Sequence, residues 1–171
     1  MQPRRTGIAL AALVFAADQA SKAVMIYGVD LGSTGPLAFG PWLDLVMAWN
    51  PGISYSLFSA QSTAGWLALL GFSAAAVVLL CVWLWRARSL ASAAALGCLI
   101  GGALGNACDR AIYGKVADFI HLHIGAFAPF GVFNFADMAI FAGVALLLYD
   151  AFFTVSAPAP GSGGGVASKL P

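Results

Sequence analysis

Nine polar side chains stand out in an otherwise apolar chain: Asp18, Lys22, Asn50, Asn106, Asp109, Arg110, Asp118, Asn134 and Asp137. Two of them could do chemistry as a pair. Asp137 has no basic residue one helical turn away, and Asp118 has only Lys115 near it. Two carboxylates brought together at an apolar boundary cannot both ionise easily, so one keeps its proton and the pair titrates as a unit. A shared-proton pair is what aspartic peptide hydrolysis needs. The ionised member takes a proton from water, and the protonated member polarises the scissile carbonyl. The plain alternative is an accidental pair of interfacial aspartates. For Asp18 with Lys22, and for Asp109 and Arg110, a structural ion pair or hydrogen-bond network is the favoured reading. Asp109 and Arg110 are adjacent, so on a helix they point apart and each needs another partner.

Other schemes fit less well. Ser54, Ser56 and Ser59 have no histidine close in sequence, and there is no G-x-S-x-G turn. His121 and His123 are two apart, a spacing for a strand or loop rather than one helix turn. With Asp118 they could make only a weak metal site, and H-E-x-x-H is absent. Neither a metal nor a cofactor is expected, and no glycine-rich phosphate loop is present.

The elements that must position these groups are membrane helices. Of the 171 residues 61% are hydrophobic and 9% charged, against roughly 45–50% and about 25% in soluble domains. That excludes an ordinary soluble enzyme and a disordered chain. A net charge of +1 excludes an electrostatic nucleic-acid binder. Four segments are long enough to span a bilayer, which takes about 20 helical residues: roughly Gly7 to Val29, Thr63 to Trp85, Leu90 to Tyr113 and Phe133 to Val155. The first begins like a secretory signal. Apolar sequence resumes after Lys22, however, and Asp18 and Lys22 share one helix face, so a retained span is expected.

Basic residues set the orientation. Arg4 and Arg5 precede the first span, Arg86 and Arg88 link the second and third, and Lys169 lies in the tail, whereas the loop 30–62 has neither Lys nor Arg. Both termini should therefore be cytoplasmic and the two longer loops extracytoplasmic. Every polar residue above then falls in one layer near the outer interface. Ionisable groups at membrane depth cost roughly 2.5–3.5 kcal/mol each at the centre, so they persist when paired or functional.

The first outer loop predicts a small β-hairpin at the membrane surface. Trp42 to Trp49 would form one arm, Asn50-Pro51-Gly52 the turn, and Ile53 to Phe58, which alternates apolar and polar, the other. The second loop, Gly125 to Val132, has the composition of a segment lying on the membrane. Residues 157–171 read as a disordered low-complexity tail after a four-helix membrane domain over 1–156. Gly97, Gly101 and Gly105, with Gly102, make a small-residue ridge for close helix packing. Cys81, Cys98 and Cys108 show no C-x-x-C spacing and read as small hydrophobes.

Five motifs occur in order: Asp18-Gln19-Ala20-Ser21-Lys22; Asn50-Pro51-Gly52; Gly101 to Arg110 (GGALGNACDR); Gly114 to Ile120 (GKVADFI); and Phe133-Asn134-Phe135-Ala136-Asp137. Together, over about residues 7–155, the chain resembles the bacterial lipoprotein signal peptidases (signal peptidase II). The resemblance implies an all-α membrane protein, a four-transmembrane-helix bundle with a small extracytoplasmic sheet, in the bacterial inner membrane with its active site at the periplasmic face. It implies an aspartic endopeptidase that cuts prolipoproteins before a diacylglyceryl-modified cysteine. Asp118 and Asp137 would be the dyad. Asn106, Arg110 and Asn134 would support dyad and substrate, and Asp18, Lys22, Asn50 and Gly52 match further family positions. Expected partners are lipidated precursors, membrane lipids and globomycin-type peptide inhibitors, with the protein acting as a monomer. Tyr55 and Ala117 depart modestly from the family pattern.

Two other readings remain open. One is a small proton-coupled carrier that uses the carboxylates as a relay. The absence of duplicated halves and the apolar cytoplasmic half of each span count against it. The other is a non-catalytic assembly factor built on the glycine ridge.

Overall fold

The computed structural model describes residues 2–52, 63–125 and 127–154. Four long apolar helices form a bundle, and a small sheet sits at one end of it. Helix α1 (Pro3–Ala23) starts with proline at a position whose N–H has no helical partner, and it runs on through a π-helical turn, Val24–Gly28. A short helix, α2 (Leu31–Thr34), and strands β1 (Leu37–Ala38) and β2 (Leu43–Asn50) follow. Then come α3 (Thr63–Arg86), α4 (Leu90–Tyr113), β3 (Val116–Leu122), β4 (Val132–Phe133) and α5 (Phe135–Thr154). The four spans agree with the expected ones to within a few residues. The fourth starts two residues later than expected because Phe133 belongs to β4.

Helix α4 is the centre of the bundle. Within its most apolar window 56% of the residues are buried, against 11–17% in the other three spans. The cause is its glycine ridge, which faces both neighbours. A Cβ on Gly97 would lie 2.5 Å from the Gly7 carbonyl, and one on Gly101 2.6 Å from the Ala11 carbonyl, so α1 rests backbone to backbone on this face. A Cβ on Gly102 would lie 2.5 Å from the Ala136 carbonyl on α5. In lipid, where apolar surface provides little drive for helix association, such close approach supplies the packing. The outward faces of α3 and α5 remain apolar and exposed, as Leu79, Val82, Phe141 and Phe152 illustrate, and these faces suit lipid contact.

Helix ends are closed locally. Ser89 caps α4 by accepting the Ser92 N–H at 2.9 Å. Gly114, at φ +70°, ends it in the left-handed conformation and donates its N–H to the Arg110 carbonyl at 3.0 Å.

The sheet is antiparallel, in the order β1-β2-β3-β4, and so joins the two long loops between the spans. β1 and β2 form a hairpin with its bend at residues 39–42. The main partner of β2 is β3, with Asp44 opposite His121 and Asn50 opposite Val116. The expected second arm, Ile53 to Phe58, lies outside the described residues, as does the tail 157–171. At Asn50 the chain turns because the side-chain Oδ1 accepts the Gly52 N–H at 3.0 Å.

Candidate active site

All nine polar residues singled out above meet at the sheet end of the bundle, in two connected layers. The upper layer holds the two aspartates. Asp118 lies on β3, and both Asp118 and Asp137 line one cavity of about 360 Å³. Asn134 immediately precedes α5 and Asp137 is the third residue of that helix. The Asn134 side chain accepts the Asp137 N–H at 3.0 Å, and the Asp137 carboxylate accepts the Asn134 N–H at 3.2 Å. This is a reciprocal capping box, and it holds the Asp137 carboxylate at the mouth of the helix. The same Asn134 donates through Nδ2 to Asp118 Oδ1 at 2.7 Å and to Asn106 Oδ1 at 3.0 Å. Asn106 donates in turn to Asp137 Oδ1 at 2.8 Å, and Asn50 donates to Asp118 Oδ2 at 3.1 Å. The two carboxylates are thus linked through the carboxamides of Asn106 on α4 and Asn134 at the start of α5, while Asn50 of β2 holds the other oxygen of Asp118.

These amides donate rather than ionise, so they orient the acids without neutralising the pair. Burial, and next the charge of Asp137, pushes the Asp118 pKa up to about 6; the hydrogen bonds from Asn50 and Asn134 pull the other way. Lys115, the base nearest Asp118 in sequence, turns away and sits over the Trp49 ring at 4.5 Å.

The lower layer is a buried charge cluster. The Lys22 ammonium contacts Asp18 Oδ2 and Asp109 Oδ2, each at 2.9 Å, and donates to Asn106 Oδ1 at 3.2 Å. Lys22 is 3% exposed, Asp18 0% and Asp109 1%. Each carboxylate also reaches toward the upper layer through the backbone. Asp109 accepts the N–H of Ala117, the neighbour of Asp118, at 3.0 Å. Asp18 accepts the N–H of Ala136, the neighbour of Asp137, at 2.9 Å. The cluster therefore ties α1 and α4 to the two chain segments that carry the acids. Gly105 allows this, because a Cβ there would collide with the Asp18 carboxylate. Asp109 and Arg110 do diverge as their adjacency requires. Arg110 turns to the cavity and donates to the Gly52 carbonyl at 3.1 Å and the Asn106 carbonyl at 3.2 Å.

Two contributions had no reading in the sequence. Gln19 donates to Asp18 Oδ2 and Asp109 Oδ1, both at 3.1 Å, and so bridges the two carboxylates of the cluster. Its only signal was its place beside Asp18. Helix α3 supplies an apolar wall of the cavity through Leu69, Phe72 and Ala76, with Ser73 among them. A uniformly apolar span carries no mark of which residues face a site. Ser73 is polar but satisfies its hydroxyl within the helix, on the Leu69 carbonyl at 2.9 Å.

A four-span bundle with an acid-lined cavity under a sheet at one end defines a small polytopic membrane protein with an embedded site. Solved structures share that architecture. One bacterial membrane enzyme superposes with a TM-score of 0.78 over 91% of this chain and 93% of its own, at 24% identity, which speaks to the fold. The family follows from sequence: the model of "Signal peptidase (SPase) II" matches residues 10–153, and the chain belongs to that family. The lipoprotein signal peptidase of Methylocella silvestris is 54% identical over 164 residues, covering 96% of this chain and 94% of the relative. That of Beijerinckia indica is 50% identical, covering 96% and 99%. That of Nitrobacter hamburgensis is 46% identical, covering 94% and 100%.

Proposed function

We propose that this protein is an aspartic endopeptidase that removes signal peptides from lipid-modified prolipoproteins, with Asp118 and Asp137 as its catalytic pair. The observation that carries the reading is the convergence of both carboxylates on one cavity walled by apolar α3 residues. An apolar signal helix fits that wall. Its backbone hydrogen bonds must open at the scissile bond, because a helical peptide group has no free carbonyl to polarise. Asn50, Gly52 and the Arg110 guanidinium lie where an opened backbone would need partners. A water between the acids loses its proton to the ionised member, and the protonated member donates toward the carbonyl oxygen. The tetrahedral intermediate then collapses as the leaving amine regains a proton from the pair.

Location belongs to the same proposal. The Arg4 guanidinium stacks on Trp85 at 3.9 Å and donates to the Trp85 carbonyl at 3.3 Å. The basic N-terminus and the basic end of α3 thus lie together, at the end opposite the sheet. Positive charge favours the cytoplasmic side, which supports a reading with both termini in the cytoplasm of a bacterial inner membrane and the site at the periplasmic face. There a lipidated cysteine sits at headgroup level, among the lipids around the bundle. The site draws every group from one chain, which supports action as a monomer, and a globomycin-type peptide is expected to compete for the cavity.

The test is cleavage of a purified diacylglyceryl-modified precursor by the purified protein. Release of the signal peptide, blocked by a globomycin-type peptide, is the expected result. Intact precursor after prolonged incubation with folded protein would refute it.

The raised pKa of Asp118 gives this activity a pH signature. A carboxyl whose folded pKa exceeds its unfolded value favours the folded state when protonated. That contribution is full below the ordinary 3.8 and is lost as pH rises through about 6. Catalysis needs one proton on the pair, so kcat/KM should fall as pH climbs above about 6 and approach a slope of about tenfold per pH unit. Replacing Asn50 removes a donor that favours the ionised form. In Asn50→Leu this falling limb should therefore move to higher pH. A limb that stays put or moves down would show that Asn50 does not act on Asp118.

A further inference from the structure

The outer sheet carries a second cluster, away from the acid pair. β2 and β3 pair with Asp44 directly opposite His121. His123 follows two residues later, and the two-residue period of extended chain puts it on the same face. His123 Nε2 lies 3.0 Å and His121 Nδ1 4.0 Å from the same Asp44 oxygen, Oδ2. The two imidazoles stack with centroids 5.1 Å apart and planes 23° from parallel. One donor atom from each of the three residues lies within 4.8 Å of the others. His123 Nε2 is buried yet makes no aligned hydrogen bond among the described residues, although the carboxylate is close.

We propose that Asp44, His121 and His123 form a binding site for a divalent transition-metal ion of the zinc type. Two imidazole nitrogens and one carboxylate oxygen are the donors such an ion takes, whereas Ca²⁺ and Mg²⁺ favour all-oxygen shells. An ion about 2.0–2.2 Å from each donor spaces tetrahedral donors about 3.3–3.5 Å apart. The distances of 3.0 and 4.0 Å bracket that spacing. A buried ring nitrogen without an aligned hydrogen bond is costly as a bystander and useful as a ligand. The three side chains are 19–28% exposed, so an ion can enter from solvent and a fourth position is left for water.

Along the sequence, the carboxylate nearest these histidines is Asp118, the one weighed with them above. The pleat separates them: Asp118 and His121 are an odd number of residues apart and project from opposite faces of β3. The carboxylate beside the histidines comes instead from the other outer loop, through the β2–β3 register. A bound ion would therefore fasten the two strands that also carry Asn50 and Asp118, from the face away from the cavity. Its role is to rigidify the sheet, not to take part in hydrolysis.

The full chain, purified in detergent without a histidine tag and stripped with chelator, is titrated calorimetrically with Zn²⁺. One equivalent should bind, and Zn²⁺ should raise the unfolding temperature. Loss of an outer-shell partner costs roughly 10–100-fold in affinity, so losing a ligand in His123→Gln or Asp44→Asn should cost at least about as much. Unfolding temperatures of the metal-free variants close to that of the parent serve as the folding check. The chain has only two histidines, so X-ray absorption of the zinc-loaded protein should show nitrogen and oxygen neighbours. Absence of stoichiometric binding, sulfur ligation from the cysteines, or equal affinity in parent and variants would each overturn the proposal. Should either variant misfold, His121→Gln, read by the same titration, decides between the same outcomes.

Discussion

Lys22→Met should lower the stability of the folded protein by about 3–5 kcal/mol, the usual cost of removing one member of a buried ion pair. Methionine keeps the length and apolar stem of lysine, so little packing is lost. What goes is the one ammonium shared by Asp18 and Asp109, each of which it contacts at 2.9 Å. Both carboxylates then remain buried with only neutral donors. Neutralising the whole cluster should recover part of the loss. In the triple variant Asp18→Asn, Lys22→Met, Asp109→Asn no unpaired charge is left, and a buried charge network replaced as a unit is often close to neutral in cost. Thermal unfolding in one detergent gives both numbers. A single variant as stable as the parent would mean that the cluster is not a fastening. A triple variant no better than the single would mean that its hydrogen bonds, rather than its charges, carry the effect. Lys22→Met should also reduce turnover in molecules that stay folded, because Lys22 orients Asn106, which holds Asp137.

Much of this was legible in the sequence, for identifiable reasons. Twenty apolar residues in lipid have no alternative to a helix, since every backbone group must be satisfied within the segment. The four spans therefore follow from hydropathy. Because ionisable groups are expensive in the membrane, each one marks a site, and helix direction fixes its depth. That is why Asp18, Asp109 and Asp137, far apart in the chain, are expected in one layer. The glycine ridge was equally plain from its four-residue spacing. What could not be read were the choices made across the sheet. The alternation in 53–58 points to a local strand, but nothing local announces that β2 pairs with β3 from the other long loop. Strand pairing is a long-range decision, and local periodicity carries no information about it. The same gap hid the approach of Asp44 to the two histidines. Gln19 was missed because an amide beside an aspartate is ordinary until three-dimensional contacts show two carboxylates meeting on it.

The larger functional effect is expected at the acids. Asparagine replaces aspartate with nearly the same shape but cannot take a proton from water, and it cannot share one. Either single change should therefore remove nearly all turnover, a loss of at least about 10³-fold, since positioned proton transfer alone is worth roughly 10²–10⁴ and here both steps pass through the same pair. Residues that act as a unit are not additive, so the double variant should be no slower than either single variant. Stability should move the other way, or not at all. Asp118 is destabilised as an anion by burial and by Asp137, and the carboxamide that Asp118→Asn puts in its place is neutral at every pH. A loss of activity with an unchanged or raised unfolding temperature would separate chemistry from folding.

The most direct measurement is the initial rate of signal-peptide release from one lipidated precursor. It is taken at one pH and one detergent composition for the parent, Asp118→Asn, Asp137→Asn and the double variant, each shown folded by its unfolding transition. All three variants should fall together to the background rate. If Asp118→Asn or Asp137→Asn cleaved within about tenfold of the parent, less than positioned proton transfer contributes, the acids would not be the hydrolytic pair.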